Sequence, residues 1–385
     1  MTGSELLGDR EFELIKEIFA ENPAILYRYH PKARMVRHFE EAIARRLGVK
    51  FAHAVSSGTA AIEVALHAAG VRPGDEVVTT AFTFLAPIEA ILKLGAIPVC
   101  VEIDETLHLS PAAVEAAITE RTRAVCVVPM WGPCDMDGLA AVCRKRDIVM
   151  VEDSAQCLGG TYRGRPLGTF GRIGSFSLDF GKSITAGEGG FIVTDDEETY
   201  RRAAEYADHG HVHNPTVPRG EDGVRVPGFN YRMSELTGAV ALGQLSRLDG
   251  ILSRQREHNA RLTARLAEIP GLGIRRTVDP AGETGDTIIV RLPSAEKAAA
   301  ASKQLAQAGI GTKILPEAFR WHYAGAWQHI WSRVPTYDPD GLRQIWSRTY
   351  ELLSSSVALA VLVKEDPARE EKIVHAFAAV VAAQP

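Results

Sequence analysis

The chain has 385 residues, of which 46% are hydrophobic and 24% are charged, the balance of an ordinary globular protein. Its formal net charge is −5 and its lysines and arginines form no block, so charge gives no reason to expect a nucleic acid or a membrane surface as partner. No apolar run approaches the roughly 18 residues that cross a membrane, and the N-terminus lacks the basic and apolar regions of a signal peptide. We therefore expect a cytoplasmic protein.

The first elements in chain order are two helices, predicted over residues 10–19 and 34–47 because their apolar positions recur at helical spacing. A strand at 51–55, the small-residue turn Ser56-Ser-Gly-Thr-Ala60 and an apolar helix at 61–69 follow. A strand, a turn and a helix in this order present free backbone N–H groups and the positive end of the helix dipole to an anion. The same residue types also serve as ordinary helix caps, so the turn by itself does not assign a phosphate site.

From residue 70 to about residue 195, strands and helices alternate. Further strands are predicted over residues 76–80, 98–103, 124–129, 149–153, 174–178 and 191–194, with helices over 83–94, 111–117 and 137–146. Continuous apolar and β-branched strands of this kind are buried on both faces, which predicts a mostly parallel sheet with helices on both sides. In such a fold the functional groups gather at the carboxyl ends of the strands.

The second half of the chain is predicted to begin with helices and to end with a second α/β unit. Residues 196–213 and 231–268 are predicted to be helical. A second α/β unit begins near residue 270, with a strand at 286–292 and helices at 295–308 and 367–383. We therefore predict a large domain over residues 1–250 and a smaller C-terminal domain over residues 251–385.

The stretch Gly174-Ser-Phe-Ser-Leu-Asp-Phe-Gly-Lys182 places one lysine between two predicted strands, in front of a turn that contains Gly187, Gly189 and Gly190. Glycine permits positive φ and a close approach of the backbone to a ligand. Lys182 is therefore either held at a ligand site or is an ordinary lysine at a solvated hairpin tip.

Other features that precede Lys182 suit a ligand site. Residues 57–60 can hold a phosphate, and Phe84 can stack on a planar ring. Asp153 ends a buried strand, and a buried carboxylate requires a cation such as a protonated pyridine nitrogen, an arginine or a helix N-terminus. Ser177 lies five residues before the lysine. Together these residue types match a site for pyridoxal 5′-phosphate (PLP).

The chain contains these pieces as recognisable motifs. They are Ser57-Gly-Thr-Ala60, Thr80-Ala-Phe-Thr-Phe84, Val151-Glu-Asp-Ser-Ala-Gln156, Gly174-Ser-Phe-Ser177, Lys182, Gly187-Glu-Gly-Gly190 and Phe229-Asn-Tyr-Arg-Met-Ser-Glu235. The set resembles the fold type I sugar aminotransferases of the DegT/StrS family over nearly the whole chain. It implies a fold type I PLP-dependent transferase: an α/β protein with a mostly parallel sheet sandwiched by helices in a large domain, and a smaller C-terminal α/β domain.

The resemblance also implies roles for single residues. Lys182 carries the Schiff base of the cofactor, and Asp153 pairs with the pyridinium nitrogen. Phe84 stacks on the cofactor ring, and Gln156 lies near its phenolic oxygen. The residues implied for the phosphate site are Gly58, Thr59, Ala60 and Ser177. Asn230 completes the phosphate site of the partner subunit, which implies a homodimer with shared active sites.

The implied activity is that of a PLP-dependent aminotransferase in amino-sugar biosynthesis. It moves an amino group from L-glutamate or L-glutamine to a keto-sugar, by a ping-pong mechanism through the Lys182 Schiff base. We favour a nucleotide-linked keto-sugar. The alternatives are an unlinked acidic keto-sugar or a cyclitol, or a non-catalytic regulator that keeps the fold. Dehydratases of the family replace the lysine with histidine, so Lys182 argues against that reaction.

Two segments offer candidate substrate contacts. The loop with His211 and His213 corresponds to a family loop near the cofactor mouth. Its alternate histidines also suggest a metal, but no second ligand cluster accompanies them in the sequence and we assign none. Trp321, His322 and Tyr323 form either a sugar-binding wall or part of the small-domain core or dimer interface.

Basic residues supply the remaining candidates. Arg232 either binds a phosphate or substrate carboxylate or forms an ion pair at an interface. A nucleotide-linked substrate requires cations at the mouth of the pocket, and the candidates are Arg219, Arg225, Arg232, Lys313 and Arg320.

Overall fold

The computed structural model describes residues 3–21, 23–312, 319–334, 337 and 342–383. Strands between residues 51 and 194 build a large sheet, and strands between residues 273 and 360 build a small one. Lys313, one of the predicted cations, lies outside the described residues. Within the described ranges, no helix is both long enough and apolar enough to cross a membrane.

The large sheet has seven strands in the described part of the chain. From one edge to the other they are Phe51–Val55, Gly190–Thr194, Ile173–Ser177, Val149–Asp153, Thr122–Val127, Glu76–Thr80 and Ile97–Val101. The five strands from Ile173–Ser177 to Ile97–Val101 are parallel. Gly190–Thr194 is antiparallel to both of its neighbours. The predicted mostly parallel sheet is therefore confirmed.

Helices pack on both faces of this sheet. Val77 lies in one core cluster with residues of the helix Gly58–Ala68, whereas the next residue, Val78, lies in another with residues of the helix Met136–Arg146. This is the reason why the strand Glu76–Thr80 is buried at every residue. The other helices around the sheet are Asp9–Glu21, Met35–Leu47, Ala86–Lys93, Pro111–Ala117, Glu197–Tyr206 and Glu235–Leu245.

Two long helix predictions were wrong at their ends. The helix predicted over 196–213 ends at Tyr206. His209, Gly210 and His213 have φ values of +56°, +82° and +55°, which a right-handed helix does not accommodate. The segment 231–268 forms two helices rather than one, Glu235–Leu245 and Leu248–Ala267.

The position of Phe84 also differs from the prediction. The helix after the strand Glu76–Thr80 was predicted from residue 83 but begins at Ala86, so Phe84 lies in the connecting loop. Pro87 explains the late start, because proline has no N–H and fits only into the first turn of a helix.

The small sheet is antiparallel, with the described strands Gly273–Ile274, Thr287–Arg291 and Ser356–Ala360. Residues of the helices Ala295–Gln307 and Pro367–Ala382 complete its core. Further helices of the C-terminal part of the chain are Phe319–His322, Gln328–Trp331, Leu342–Ile345 and Ser347–Ser354.

The helix Leu248–Ala267 joins the two units. Leu248 and Ile251, near its start, belong to a core cluster of the large sheet, and Leu262 and Leu266, near its end, belong to the core of the small sheet. The helix therefore crosses residue 250, where the sequence places the domain boundary, and that boundary stays a prediction.

Candidate active site

A cavity of about 490 Å³ opens at the carboxyl ends of the parallel strands. Of the predicted cofactor residues, those that line it are Gly58, Thr59, Phe84, Asp153, Gln156, Ser177 and Lys182. These residues follow four different strands, and the sheet brings them together because parallel strands end at the same edge.

Asp153 is the last residue of its strand and is 5% exposed. Its Oδ1 accepts a hydrogen bond of 3.2 Å from the backbone N–H of Ala155. Burial raises the pKa of this carboxyl group to about 6, although the Ala155 N–H and the positive charge of Lys182 both lower it. The carboxylate is thus held away from water with little to stabilise its charge, which suits a site for a ligand cation.

The preceding carboxylate points in the opposite direction. Glu152 accepts hydrogen bonds from the backbone N–H groups of Gly168 (2.7 Å) and Gly171 (2.6 Å). It does not line the cavity, because successive side chains of a strand face opposite sides of the sheet. Burial raises the pKa of Glu152 to about 7, partly offset by these hydrogen bonds. The two neighbouring acids therefore have different environments.

Lys182 lies in the connection between two neighbouring strands and is half-buried. Its backbone N–H donates to the carbonyl of Asp179 at 3.1 Å, and the N–H of Gly181 donates to the Asp179 carboxylate at 2.9 Å. The positive φ values of Gly187 (+79°) and Gly189 (+147°) close the connection. The backbone around Lys182 is thus fixed by local hydrogen bonds, and its side chain lines the same cavity as Asp153.

The turn before the helix Gly58–Ala68 forms another part of the wall. Ser57 caps the helix, and its Oγ accepts from the N–H of Ala60 at 3.1 Å. A Cβ on Gly58 would lie 2.7 Å from the Cβ of Ser177, so only glycine allows the strand and the helix start to approach this closely. The helix directs its positive end into the cavity at this point. The Ala60 N–H, predicted to bind phosphate, donates to Ser57 in this structure.

The aromatic stretch divides between the cavity and the core. Trp321 is 56% exposed, and its ring is parallel to that of Phe84, with centroids 6.0 Å apart. His322 lines the cavity, and its ring centroid lies 5.6 Å from that of Phe84. Tyr323 is instead buried in the core, and its hydroxyl group donates to the carbonyl of Trp346 at 3.1 Å. Tyr323 belongs to a core cluster of the large sheet and not to that of the small sheet, so the small-domain core predicted for this stretch does not hold for Tyr323.

The predicted residues of the histidine loop lie in another place. His213 and Arg219 line a second cavity of about 700 Å³, together with Arg28, Tyr29 and His53. The Nδ1 of His211 lies 3.4 Å from the Oδ2 of Asp222, which also lines this cavity. Within one chain, therefore, the loop does not line the cofactor cavity.

Asp208 organises this second region. It is fully buried and accepts hydrogen bonds from Arg219 (2.6 Å) and Arg232 (2.5 Å). Burial alone would raise its pKa, but the two guanidinium groups outweigh this and lower the pKa to about 2. Arg232 therefore forms an ion pair inside its own chain. Asn230 is exposed on the adjacent backbone and, like Arg232, does not line the cofactor cavity of its chain.

Several residues that line the cavity were not predicted. Thr83 is 1% exposed, and its Oγ1 has no hydrogen-bond partner among the described residues. Met130, Asp179 and Glu188 also contribute to the wall. Thr83, Met130 and Asp179 each follow the carboxyl end of a parallel strand within three residues, and this position is a signal that the sequence offered.

The family can be identified at this point. The sequence profile of the DegT/DnrJ/EryC1/StrS aminotransferase family matches residues 26–347. The chain belongs to this family. The resemblance inferred from the motifs is therefore confirmed.

Two similar proteins are named as an aminotransferase and a synthase. The L-glutamine:scyllo-inosose aminotransferase of Streptomyces griseus is 36% identical over 312 residues, which cover 78% of this chain and 73% of the relative. The GDP-perosamine synthase of Escherichia coli O157:H7 is 38% identical over 229 residues, 59% of this chain and 61% of the relative. The matched segment spans only 55% to 62% of the length of four of the most similar relatives.

Solved structures of similar proteins cover the chain almost completely. The crystal structure of 3-amino-5-hydroxybenzoic acid synthase is 28% identical, with a TM-score of 0.87 over 98% of this chain and 97% of that chain. The PLP-form of the sugar aminotransferase Spr1654 from Streptococcus pneumoniae is 25% identical, with a TM-score of 0.84 over 97% of this chain and 96% of that chain. The predicted fold class is thus confirmed.

Proposed function

We propose that this member of the family is a PLP-dependent aminotransferase that places an amino group on a keto-sugar or ketocyclitol, with L-glutamine or L-glutamate as donor. The observation that supports it most directly is that Lys182 and Asp153 line one cavity together with the start of the helix Gly58–Ala68. The names of the relatives agree with a glutamine donor and with amino-sugar products.

The residues present fit PLP as the cofactor. Asp153 is a carboxylate whose pKa is raised by burial, and a bound pyridinium nitrogen would place a positive charge beside it. The hydroxyl group of Thr83 is buried without a described hydrogen-bond partner in the same cavity. Ser177 and the helix start at Gly58 and Thr59 provide a hydroxyl group and N–H groups for a phosphate. When bound, PLP supplies an electron-withdrawing ring that makes a proton on the α-carbon of an amino acid labile.

The side chains then have distinct tasks. Asp153 stabilises the positive charge on the ring nitrogen, because it is an anion in a site with little water. Lys182 would hold the cofactor covalently through its Nζ. Once the amino group of the donor has displaced it from the cofactor, the same Nζ, as a free amine, would take the proton from the α-carbon of the donor.

The active assembly in this proposal is a homodimer with shared sites. Asn230 is exposed and lies away from the cofactor cavity of its own chain. If Asn230 reaches the phosphate of the partner, the loop with His213 and Arg219 approaches the partner as well, because the bridge between Asp208 and Asn230 joins the two segments. This arrangement would bring the predicted substrate residues to the other subunit's cavity.

One observation favours an unlinked ring as a second candidate for the acceptor. Among the described residues, the lining of the cofactor cavity contains no arginine, and Lys182 and His322 are its basic side chains. A diphosphate is usually held by guanidinium groups. The nucleotide-linked keto-sugar therefore requires cations from outside this described lining, whereas an unlinked keto-sugar or cyclitol does not.

Two measurements test the proposal. Borohydride reduction followed by peptide mapping should locate the cofactor on Lys182, and an adduct on another lysine would contradict it. The pyridoxamine form should then be mixed with a panel of nucleotide-linked keto-sugars, unlinked keto-sugars and ketocyclitols, while the absorbance of the aldehyde form is followed. Discharge by the unlinked compounds alone would exclude the nucleotide-linked acceptor, and discharge by none would exclude the activity.

A further inference from the structure

Glu63 is a buried carboxylate with no assigned role on the helix that begins at the cofactor cavity. It lies five residues after Gly58 and is 2% exposed. Its two oxygens accept hydrogen bonds from the hydroxyl groups of Tyr206 (2.7 Å) and Tyr231 (2.8 Å), and Lys93 Nζ lies 3.1 Å from Oε2. Three donors from three separate segments thus converge on one buried anion.

Tyr231 connects this cluster to Asn230. Its backbone N–H donates to the carbonyl of Ala207 at 3.0 Å, and its carbonyl accepts from the N–H of Ser56 at 2.8 Å. Side chains of consecutive residues in extended backbone point to opposite sides. The ring of Tyr231 therefore points inward to Glu63, whereas its neighbour Asn230 is exposed.

We propose that Glu63 is a positioning residue that fixes Asn230 through Tyr231. This inference depends on the proposed function, in which Asn230 contacts the cofactor phosphate of the partner subunit. The same helix that offers its N-terminus to the phosphate of its own chain would then hold, through Glu63, the residue that completes the phosphate site of the partner. Each phosphate site would be linked to the other by a helix and one hydrogen bond.

A pair of matched substitutions separates positioning from stability. Tyr231→Phe and Tyr206→Phe each remove one phenolic hydroxyl group from Glu63, at nearly equal distances. Tyr231→Phe also removes a contact with Lys93. Both variants should lose a similar amount of thermal stability. Only Tyr231→Phe should weaken the binding of PLP to the apoprotein, by about tenfold, since one charge-assisted phosphate contact is misplaced. Equal effects of the two variants on PLP binding, or no effect of either, would overturn the proposal.

Mixed dimers give a second test in which the two chains are distinguished. A Lys182→Ala chain combined with an Asn230→Asp chain should form one intact site, built from the lysine of the second chain and the asparagine of the first. Tyr231→Phe on the Lys182→Ala chain should lower the activity of that site about tenfold, because this chain supplies Asn230. The same change on the other chain should have the smaller effect.

The outcomes also separate this inference from the proposed function. A wild-type protein without aminotransferase activity contradicts the function itself. If the Lys182→Ala and Asn230→Asp chains exchange subunits but the mixed dimer has no activity, the shared site is contradicted, and with it the role given to Glu63. In the third outcome, the mixed dimer without Tyr231→Phe is active, and Tyr231→Phe lowers its activity equally on either chain. This outcome contradicts only the role given to Glu63, since Tyr231 would then act on the helix of its own chain.

Discussion

Replacement of Asp153 by asparagine should stabilise the apoprotein while it damages the cofactor site. Burial raises the pKa of Asp153 from 3.8 to about 6. The folded state therefore binds this proton more tightly than the unfolded state, so ionisation at neutral pH destabilises the fold. A difference of one pKa unit corresponds to about 1.4 kcal/mol, which gives a penalty of about 3 kcal/mol above pH 6. Asparagine cannot ionise, and its amide oxygen can still accept from the Ala155 N–H.

The pH dependence fixes the sign of this effect. Below about pH 4 the carboxyl group is protonated in both states and no penalty exists, and the penalty grows as the pH rises from about 4 to about 6. Urea unfolding of the PLP-free proteins should therefore show Asp153→Asn to be about 3 kcal/mol more stable than the wild type near pH 7.5, with most of that gain absent near pH 4. With cofactor bound, the same variant should lose about 100-fold in rate, because the anion beside the ring nitrogen is gone.

Glu152→Gln is the matched control. Glu152 also has a raised pKa, about 7, but it accepts two backbone N–H bonds and does not line the cavity. A glutamine would direct its NH₂ group at one of these N–H donors, so no gain in stability is expected, and PLP binding should not change. An Asp153→Asn protein that is no more stable than the wild type near pH 7.5, or that gains equally at both pH values, would contradict a stability penalty from the ionised Asp153.

Four further predictions concern the cavity and the aromatic residues near it. Lys182→Ala should abolish activity in a folded protein that still binds PLP non-covalently, which activity assays and an absorbance titration check. Gly58→Ala should weaken PLP binding at least about tenfold, because the new Cβ would lie 2.7 Å from Ser177 Cβ and 2.8 Å from its Oγ. Ser177→Gly in the same chain should restore stability but not binding, and full recovery of binding would contradict a role for the Ser177 hydroxyl group. Trp321→Ala should raise the KM for the acceptor without loss of stability, since the ring is 56% exposed. Tyr323→Ala should cost about 3 kcal/mol or more in unfolding experiments, because Tyr323 is only 1% exposed.

The sequence alone determined the frame of the site. Runs of apolar residues predicted the parallel strands, because strands buried on both faces must be apolar throughout, and the strands at 76–80 and 149–153 were predicted to the residue. Asp153 stood out as a charge at the end of such a run, and Lys182 as a lysine in front of a glycine-rich turn. The motifs that surround them were specific enough to indicate the family, which the profile match confirms.

Only the tertiary structure decided which neighbours of these residues face the cavity. Trp321 and Tyr323 are two residues apart in one aromatic stretch, yet one is exposed beside Phe84 and the other is buried against Trp346, because long-range packing assigns their directions. The segment with the histidines was predicted as helix but forms a loop, because Asp208 pairs with Arg219 and Arg232, which are 11 and 24 residues away in the chain. Local periodicity determines where strands begin and end, since it depends on the next few residues. The partners of a buried charge depend on contacts that form only when distant segments pack together.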